Sequence, residues 1–555
     1  MRRIFLFFCF FFLSVHYGHA DTHTADSCSL ADVTTAYNAS SDGDILAVPA
    51  GNCTWSSALT IGKALSTLGA GSGVGGTKLT ASGAMSSGFF NITGFTSSNL
   101  MRISGFYFEM TNWTPATAIN VSSITDDNVR IDHNTFNQGS HAILFYNPLG
   151  VIDHNTFYNS DLTIEYSSGS RANADASWVS MAVGTANATF IEDNHFIDDA
   201  NYTGTYFDER VGTFNGGKLV VRHNHFDSTQ SAYEGQAIGI MTHGSAAGGC
   251  SNGYWQITGL GGDCRRGQSV VEIYENLIEG KRIDYPVVVR GSANLIYNNT
   301  TISASAGASR IAMSEEEYTV GSNWSPLRTA WPAEDQVHNT FIWGNTFDGE
   351  ALTSENLLVE PSETYIELNR DYFLHAPCGA SDTTDGYGNT CTHGKETFTG
   401  ANGASSSYPT DGSTYPTLGT MQFVGTGDNA YYGYNPYTYP HPLALAQYTL
   451  AITKNGTGSG TVAGDVGYID CGAVCSHDYD VDTVVTLTAT PTGSDVFAGW
   501  SGTGGCLGTG TCVATMDAAY TPIATFNLSS SIPHVTIGSG PGMTISNSGP
   551  GIKIQ

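Results

Sequence analysis

The sequence predicts an all-β protein in which a right-handed parallel β-helix solenoid is followed by a small β-rich repeat domain. The phrase IDHNTF occurs at residues 131–136 and again at 152–157, and five looser copies follow. The closest copies are 21 residues apart (134 to 155) and 23 apart (276 to 299), a spacing that suits one coil of a solenoid built from short strands. All seven copies carry an asparagine in the same frame: Asn134, Asn155, Asn194, Asn224, Asn276, Asn299 and Asn345.

Stacking of equivalent residues is what this repeat predicts physically. In a parallel β-helix each coil lies about 4.8 Å from the next, so that corresponding side chains form columns. The apolar residues that flank the asparagine would point inward, and the asparagine amides would bond to one another and to the turn backbone. A set of unrelated β-hairpin turns is the alternative, because asparagine is common in turns. Seven copies in one apolar frame favour the β-helix.

Residues 1–20 are predicted to be a secretory signal peptide. Arg2 and Arg3 form a basic start, an apolar stretch runs from Ile4 to Val15, and Gly18-His19-Ala20 offers a cleavage site. This stretch is too short to span a membrane, and no later run reaches the roughly 18 apolar residues that a span needs. We therefore expect a secreted or cell-surface protein without a membrane span.

Cysteine usage agrees with an oxidising compartment. Without Cys9 of the signal peptide the 11 cysteines become 10, an even number that suits disulfide bonds. Their spacing does not match a zinc site flanked by histidines. They fall into neighbouring pairs, which we predict to be disulfide staples on loops: Cys28 with Cys53, Cys250 with Cys264, Cys378 with Cys391, Cys471 with Cys475, and Cys506 with Cys512.

The mature chain is strongly acidic. Removing Arg2 and Arg3 from the 21 basic residues leaves 19 against 50 acidic ones, a net charge of about −31. Such a surface repels nucleic acid and anionic membranes, so neither is expected as a partner. It also repels an anionic polysaccharide unless cations or a local basic strip intervene.

The β-helix domain is predicted over residues 21–447, beginning with an N-terminal cap at about 28–60. Residues 32–55 are interpreted as a short helix that leads into the solenoid. Within them GDILAVPAG, residues 43–51, resembles the entry segment of secreted pectin-lyase-like proteins, in which a capping helix leads into a strand and a turn. A cap is needed because an open solenoid end exposes unpaired backbone and apolar core.

The Asn-ladder coils are predicted at about 100–370 and a C-terminal wrap at 371–447. The sequences NRDYF at 369–373 and YPHPL at 439–443 resemble the ends of other secreted β-helix proteins. Between these two motifs the repeat fades into a stretch rich in Gly, Ser, Thr and Tyr. We interpret this stretch as a cover over the last coils.

A second domain is predicted over residues 448–527. Its glycines, its cysteines, Trp500 and its order of strands closely resemble the divergent bacterial B-repeat module first described in internalins. That resemblance implies attachment or spacing at a surface and not catalysis. Residues 528–555 repeat a strand followed by Gly-Pro-Gly, and they are interpreted as an extra β-appendage or a flexible tail.

A chemically mixed column lies two residues before each ladder asparagine, and strand alternation turns it outward. We predict that its later members, together with Lys281, contact sugar in a groove: Arg222, Tyr274, Tyr297 and Trp343. Its three acids are candidate calcium ligands, since oxygen atoms suit Ca²⁺: Asp132, Asp153 and Glu192. The alternative is a solvated sheet face of mixed character. The neighbouring histidines, His133, His154 and His223, are expected to be structural.

Basic residues cluster between 265 and 290 in a chain that otherwise has few of them. Pectin-lyase-like polysaccharide lyases use an arginine or lysine base to remove the proton α to a uronate carboxyl, with Ca²⁺ or another cation neutralising the carboxylate. This resemblance makes Arg290, Arg266 and His243 the candidate catalytic residues. Pairing of these arginines with nearby acids is the alternative. Hydrolysis is less favoured, because the polygalacturonase motifs Asn-Thr-Asp and Arg-Ile-Lys are missing.

Taken together, these features favour a secreted, monomeric protein that binds and cleaves an acidic polysaccharide by β-elimination, with Ca²⁺ as a possible cofactor. A polysaccharide or a cell-surface glycan is the expected partner. The alternative is a non-catalytic adhesin or stalk, in which the B-repeat module is an attachment unit. The fold cannot decide between them, because one solenoid can host enzymes, adhesins and spacers.

Overall fold

The computed structural model describes most of the chain between residues 21 and 529, in two compact units, Met1–Ala444 and Leu445–Gln555. Within that span the description leaves out residues 83–84, 86–87, 95–96, 98, 111–116, 123–127, 140, 147–148, 166–182, 200–208, 215–217, 232–236, 243–269, 281–282, 292, 304–308, 315–336, 338, 360–365, 380, 393–430, 445–446, 466–468, 473–474, 481–483 and 517–518.

Three long sheets of stacked strands build the first unit, and the predicted parallel β-helix is confirmed. Sheet A contains Thr22–Thr24, Ile45–Val48, Ser66–Gly69, Met101–Ser104, Val129–Asp132, Gly150–Asp153, Thr189–Glu192, Lys218–Arg222, Val270–Tyr274, Ala293–Tyr297, Thr340–Trp343 and Tyr372–Phe373. Sheet B contains Gly51–Trp55, Thr77–Ala81, Phe106–Glu109, Thr135–Asn137, Thr156–Tyr158, His195–Ile197, His225–Ser228, Leu277–Gly280, Thr300–Ser303, Thr346–Phe347 and Glu350–Ala351. Sheet C contains Leu59–Ile61, Phe90–Ile92, Ile119–Val121, Ile143–Tyr146, Leu162–Glu165, Glu209–Phe214, Ala237–Thr242, Ile283–Arg290, Ile311–Ser314 and Leu357–Val359.

The cap of the solenoid is the helix Leu30–Ala39. Ser29 caps its start by accepting a hydrogen bond from the backbone N–H of Asp32 at 3.3 Å. The expectation of helix through residue 55 is wrong beyond Ala39, because Gly43 turns the chain at φ +90° and alternating burial then makes Ile45–Val48 a strand. A disulfide between Cys28 and Cys53 ties the cap to the first coil.

The asparagines form the predicted ladder in the bend between sheets A and B. The amide Nδ2 of each of the first six, from Asn134 to Asn299, donates to the Oδ1 of the next asparagine, at distances from 2.9 to 3.2 Å. Each Oδ1 also accepts the backbone N–H of the asparagine before it, as Asn155 does from Asn134 at 3.0 Å. All seven side chains are buried, so the ladder satisfies turn backbone that no water could reach.

Phenylalanines two residues after the asparagines stack inside the solenoid. The rings of Phe136, Phe157, Phe196 and Phe226 follow one another at centroid distances of 4.9, 4.6 and 4.8 Å. Each is buried, and burying one such ring stabilises the fold by about 1.5–3 kcal/mol. The inward direction predicted for this position is confirmed.

The residue just before each ladder asparagine has a left-handed backbone, with φ between 52° and 63°. This conformation makes the sharp bend and turns the side chain outward at the edge of the coil. The position is occupied, in order, by His133, His154, Asp193, His223, Glu275, Asn298 and Gly344.

Further along the chain Ser354–Asn356 and Pro442–Ala444 are short 3₁₀ turns. No helix among the described residues is long and apolar enough to cross a membrane.

The second unit is built from short, mostly antiparallel strands around its own core, which includes Trp500. Its sheets pair Gln447–Ala451 with Ser476–Asp480, Thr453–Asn455 and Val496–Gly502 with Pro522–Asn527, and Gly460–Gly464 and Cys512–Thr515 with Val484–Pro491. Disulfides join Cys471 to Cys475 and Cys506 to Cys512. The resemblance to a B-repeat module stays a prediction.

Four of the five predicted disulfides are present, and the fifth, between Cys250 and Cys264, lies outside the described residues. The predicted signal peptide and the tail at 528–555 also lie outside them, apart from residues 528–529.

Candidate functional site

The mixed column two residues before the asparagines lies on the outer face of sheet A, but it is not open to solvent. Residues 431–444, which we call the wrap segment, cover the column. Each of the seven side chains of the column is at most 5% exposed. The expectation of an open groove along this column is therefore corrected. The sequence did not reveal this cover because the wrap segment begins 88 residues after Trp343, the last member of the column.

The three acids of the column are each paired with an arginine from a neighbouring strand. Asp132 accepts from Arg102 at 2.7 and 2.5 Å, and Asp153 accepts from Arg130 at 3.0 and 2.7 Å. Burial opposes ionisation of Asp132, but hydrogen bonds from Arg102 and His133 outweigh it and hold the pKa of Asp132 well below its usual value.

Guanidinium groups thus occupy the oxygens that were expected to bind calcium. Because the third acid, Glu192, is likewise bound by Arg222, a calcium ion at Asp132, Asp153 and Glu192 would have to displace three arginines. These contacts give the expected calcium site no support.

Arg222 anchors the wrap segment and does not reach a sugar. Its guanidinium donates to the carbonyl oxygens of Tyr437 at 2.7 Å and Thr438 at 2.9 Å, and to the hydroxyl of Tyr274 at 2.9 Å. Its side chain is fully buried against Glu192. The role predicted for Arg222 in sugar contact is corrected, because its guanidinium is surrounded by protein atoms and leaves no surface for a sugar.

The aromatic members of the column stack on one another. Ring centroids are 4.6 Å apart between Tyr274 and Tyr297, and 4.3 Å apart between Tyr297 and Trp343, with nearly parallel planes. The hydroxyl of Tyr297 lies 3.1 Å from that of Tyr434, which donates to Glu272 at 2.6 Å. The ring faces of Tyr274 and Tyr297 that were expected to stack on sugar are therefore covered by neighbouring rings. Trp343 is the last ring of the stack, and one of its faces is not covered by another ring of the column.

A cleft of about 650 Å³ opens beside Trp343, between the column, the loop 376–387 and the wrap segment. Two tyrosines at this cleft expose most of their surface, Tyr387 at 58% and Tyr432 at 65%. The ring of Tyr387 is tilted toward Trp343 at a centroid distance of 6.3 Å. The volume lies in the range of small-molecule sites, which combine apolar walls with a few polar groups.

The polar groups that line the cleft are acidic or neutral. Carboxylates come from Glu275, Asp382 and Asp385, and amides from Asn298 and Asn435. None of the described lining residues is a lysine or an arginine. The cleft therefore offers hydrogen-bond acceptors and aromatic surface, but no cation for an anionic ligand.

The loop that carries Tyr387 is held rigidly by local bonds. A disulfide joins Cys378 to Cys391, and the Asp385 carboxylate accepts backbone N–H bonds from Ala376 at 2.8 Å and Tyr387 at 2.9 Å. Burial opposes ionisation of Asp385, but these bonds and those from Asn389 prevail and lower its pKa. The cleft is therefore preformed.

Tyr432 packs directly against this loop at a glycine. A Cβ on Gly379 would come within 2.8 Å of the Tyr432 ring, so the ring lies close against the backbone of this loop. This contact places the exposed ring of Tyr432 beside the loop.

His223 and Glu275 form one wall of the cleft. The His223 Nε2 lies 3.0 Å from the Glu275 carboxylate, and its ring stacks on Tyr439 at 3.6 Å. Burial lowers the pKa of His223 despite the nearby charge of Glu275. The Tyr439 hydroxyl donates to Asp193 at 2.7 Å, which ties the wrap segment to the bend of an earlier coil.

Of the predicted catalytic residues, Arg290 is the one that the structure describes, and it does not line this cleft. Arg290 ends the strand Ile283–Arg290 of sheet C, in register with Ser314, and is not one of the residues that line the cleft. Arg266, His243 and Lys281 lie outside the described residues. Their roles stay predictions.

Sequence reasoning missed the loop 376–387 and Tyr432. One signal was present: the cysteine pair brackets the tyrosine at 387, and tyrosines recur between 431 and 439. Nothing periodic connects the two stretches, so only the fold brings them together.

Comparison with known proteins gives distant similarities of backbone only. No family model matches the sequence, and no curated protein matches it. An alginate lyase from Paenibacillus sp. str. FPU-7 aligns with 61% of this chain and 98% of its own, at 11% identity and a TM-score of 0.27. A mutant of a PL6 family alginate lyase aligns with 79% of this chain and 62% of its own, at 14% identity and a TM-score of 0.29. At these values no reaction or site residue is transferred, and function is argued from this chain's own residues.

Proposed function

We propose that this protein is an extracellular β-helix protein that binds a neutral polysaccharide in the cleft beside Trp343. The observation that carries the proposal is the preformed cleft with Tyr387 and Tyr432 exposed at its rim. Aromatic rings offer apolar faces to the C–H surfaces of sugar rings, and exposed tyrosines held by a rigid loop lose little conformational freedom on binding. The carboxylates and amides then accept and donate hydrogen bonds to sugar hydroxyls.

The charge of the cleft favours a neutral sugar over an acidic one. Glu275, Asp382 and Asp385 line it, and no lysine or arginine among the described lining residues offsets them. A uronate carboxylate placed there would meet like charges at short range, which is unfavourable. This departs from the acidic polysaccharide that the sequence suggested.

Secretion is part of the proposal. The apolar N-terminal stretch and the disulfides on loops, such as Cys378–Cys391, both support an oxidising extracellular compartment. A polysaccharide outside the cell is a partner that such a protein can reach.

The test is a binding assay on purified full-length protein with soluble neutral glucans, mannans and xylans, and with alginate and pectate as acidic polymers. We expect retention by at least one neutral polymer, and the double variant Tyr387→Ala/Tyr432→Ala should weaken it roughly tenfold or more. Tyr158→Ala, which removes a half-buried tyrosine from sheet B, is the matched control and should bind normally. Binding to the acidic polymers alone, or equal binding by the double variant, would contradict the proposal.

Cleavage of a polyuronate is a second proposal, supported by the arginines at 265–290 and by the position of Arg290 at a strand end with its side chain only half-buried. In it Arg290 or Arg266 removes the α-proton, and His243 is a further catalytic candidate. Incubation with alginate and pectate, with and without Ca²⁺, is followed by the ultraviolet absorbance of unsaturated products. If the Arg290→Ala and Arg266→Ala variants both still form product at the normal rate, neither arginine is the catalytic base. No product from any uronate would favour a binding protein without catalysis.

A further inference from the structure

A second polar cluster lies on the outer face of sheet B and is formed by three successive coils. His195 and His225 occupy the same position on neighbouring strands, and Asp227 and Glu279 do so two residues further along. In the chain each histidine stands where the best copies of the repeat have threonine. None of these four residues lines the cleft or makes the wrap contacts described above.

The cluster repeats one diagonal contact on consecutive coils. His225 Nε2 lies 2.8 Å from a carboxylate oxygen of Glu279, and His195 Nε2 lies 3.9 Å from one of Asp227. The two imidazole rings are parallel, with centroids 4.5 Å apart. One ligand atom each of His195, His225 and Asp227 lie within 4.8 Å of one another.

One nitrogen in the cluster is left without a partner. The Nε2 of His195 is buried and makes no hydrogen bond within the part of the chain that the structure describes. The neighbouring carboxylate, Asp227, faces His195 with one oxygen. Its other oxygen accepts hydrogen bonds from the backbone N–H of Thr229 at 2.8 Å and from the Thr229 hydroxyl at 2.6 Å, and these bonds orient the carboxylate. Orientation of a ligand by a second hydrogen bond is a common feature of metal sites.

We propose that His195, His225 and Asp227 bind a divalent zinc ion, with Glu279 as a fourth ligand or as a base that orients His225. Imidazole nitrogen with carboxylate oxygen is a donor set that zinc accepts, whereas calcium takes oxygen ligands. Zinc bonds of about 2.0–2.2 Å in a tetrahedron place ligand atoms roughly 3.3 Å apart. Small rotations of the two rings, which are half-exposed, close the present separation.

Two other histidine clusters serve as comparisons. His133 and His154 are also parallel, at 5.0 Å, but their Nδ1 atoms are bonded to Asp132 and Asp153, which arginines already bind. His375 lies beside Cys378 and Cys391, whose sulfur atoms are joined in a disulfide and so are not thiolates. Of these three clusters, the one on sheet B combines adjacent imidazoles with a carboxylate that no described arginine or lysine holds.

A bound ion would join strands His195–Ile197, His225–Ser228 and, through Glu279, Leu277–Gly280. Because it would bind the folded chain and not the unfolded one, it should raise the unfolding temperature in proportion to the logarithm of its concentration. The ion would join on sheet B the same coils that the asparagine ladder joins in the neighbouring bend.

The experiment is titration of chelator-treated full-length protein with Zn²⁺ by calorimetry, and with Co²⁺ by visible absorption, which reports coordination. We expect one equivalent to bind, and His225→Ala and Asp227→Asn each to weaken binding roughly tenfold or more. The double variant His133→Ala/His154→Ala is the matched control and should bind as the wild type does. All variants are checked for unfolding temperature without metal, so that a loss of binding is separated from a loss of fold.

Three results would overturn the proposal: no saturable binding of either ion, equal binding by His225→Ala and the wild type, or loss of binding in the His133/His154 control alone. Glycan binding by the cleft is measured on the same variants and should be unchanged, so failure of the metal site and failure of the cleft can be told apart.

Discussion

The guanidinium of Arg222 and the carboxylate of Glu192 lie 2.6 Å apart with both side chains fully buried between sheet A and the wrap segment. The same carboxylate accepts the backbone N–H of His441 at 2.7 Å. A charge pair on the solenoid therefore binds the wrap segment from two sides, and the first two predictions below depend on how firmly the wrap segment is held.

Replacing Arg222 by alanine should lower the free energy of unfolding by about 3–5 kcal/mol, because it leaves the Glu192 carboxylate buried without its partner. Urea denaturation measures the loss, and limited proteolysis should cut within 431–444 sooner. Lys78→Ala removes the more exposed pair with Glu109 and should cost less than about 1 kcal/mol. Equal losses in the two variants would show that Arg222 does not anchor the wrap.

Acid should loosen the wrap segment through His441. Burial, followed by the charge of Arg222, lowers the pKa of His441 to about 4. Asp153 opposes this shift and Arg130 adds to it, and the ring also packs on Phe190 and Tyr437.

The unfolded histidine titrates near pH 6.5. The neutral ring's contribution to stability is therefore fully present above that pH and is lost as the pH falls from about 6.5 to about 4. Proteolysis of 431–444 and urea unfolding, followed across this window, should show the loss, and His441→Gln should flatten it. A slope that persists in His441→Gln would assign the loss to other groups.

Asn224→Ala should destabilise the solenoid although it removes no charge and little apolar surface. Its Nδ2 donates to the carbonyl oxygens of Ile191 and Arg222, both at 2.9 Å, and its Oδ1 accepts from the backbone of Asn194 at 3.0 Å. Each buried group left without a partner costs about 1–3 kcal/mol. The control Asn137→Ala, which loses one bond to Glu109 at a half-buried position, should change the unfolding free energy far less.

Removing the Cys378–Cys391 disulfide by double substitution to alanine should weaken glycan binding several-fold while circular dichroism of the solenoid is unchanged. The bond closes the loop that presents Tyr387, so its loss raises the entropy that binding must overcome. The corresponding Cys28/Cys53 double variant alters the cap and should leave glycan affinity as it was. An unchanged affinity in the Cys378/Cys391 variant would mean that Asp385 alone orders the loop.

The repeat made much of the solenoid predictable. Because one asparagine per coil fixes the frame, the inward phenylalanines, the outward column and the bend all followed from its position. Neighbouring cysteines likewise predicted the four disulfides that the structure describes.

A C-terminal wrap over the last coils was expected from the sequence, but its position on this column of sheet A could not be predicted. The contact between Arg222 and Tyr437 joins residues 215 positions apart, and the wrap has no periodicity that would place it on sheet A. For the same reason the cleft, which needs both Tyr387 and Tyr432, has no local signature. The histidines at 195 and 225 were visible as departures from threonine in the repeat, but only the register shows that they are adjacent.

Every amide in the asparagine ladder points the same way, from the N-terminal coil toward the C-terminal one, in all six steps from Asn134 to Asn345. Aligned amide dipoles reinforce one another, as peptide dipoles do in a helix. The amide dipoles of successive coils therefore add along the axis of the solenoid. The two ends of the ladder differ chemically: the first amide oxygen accepts from the Phe106 backbone N–H, whereas the last amide donates to the carbonyl oxygens of Ile296 and Trp343 and, within the described part of the chain, to no further asparagine.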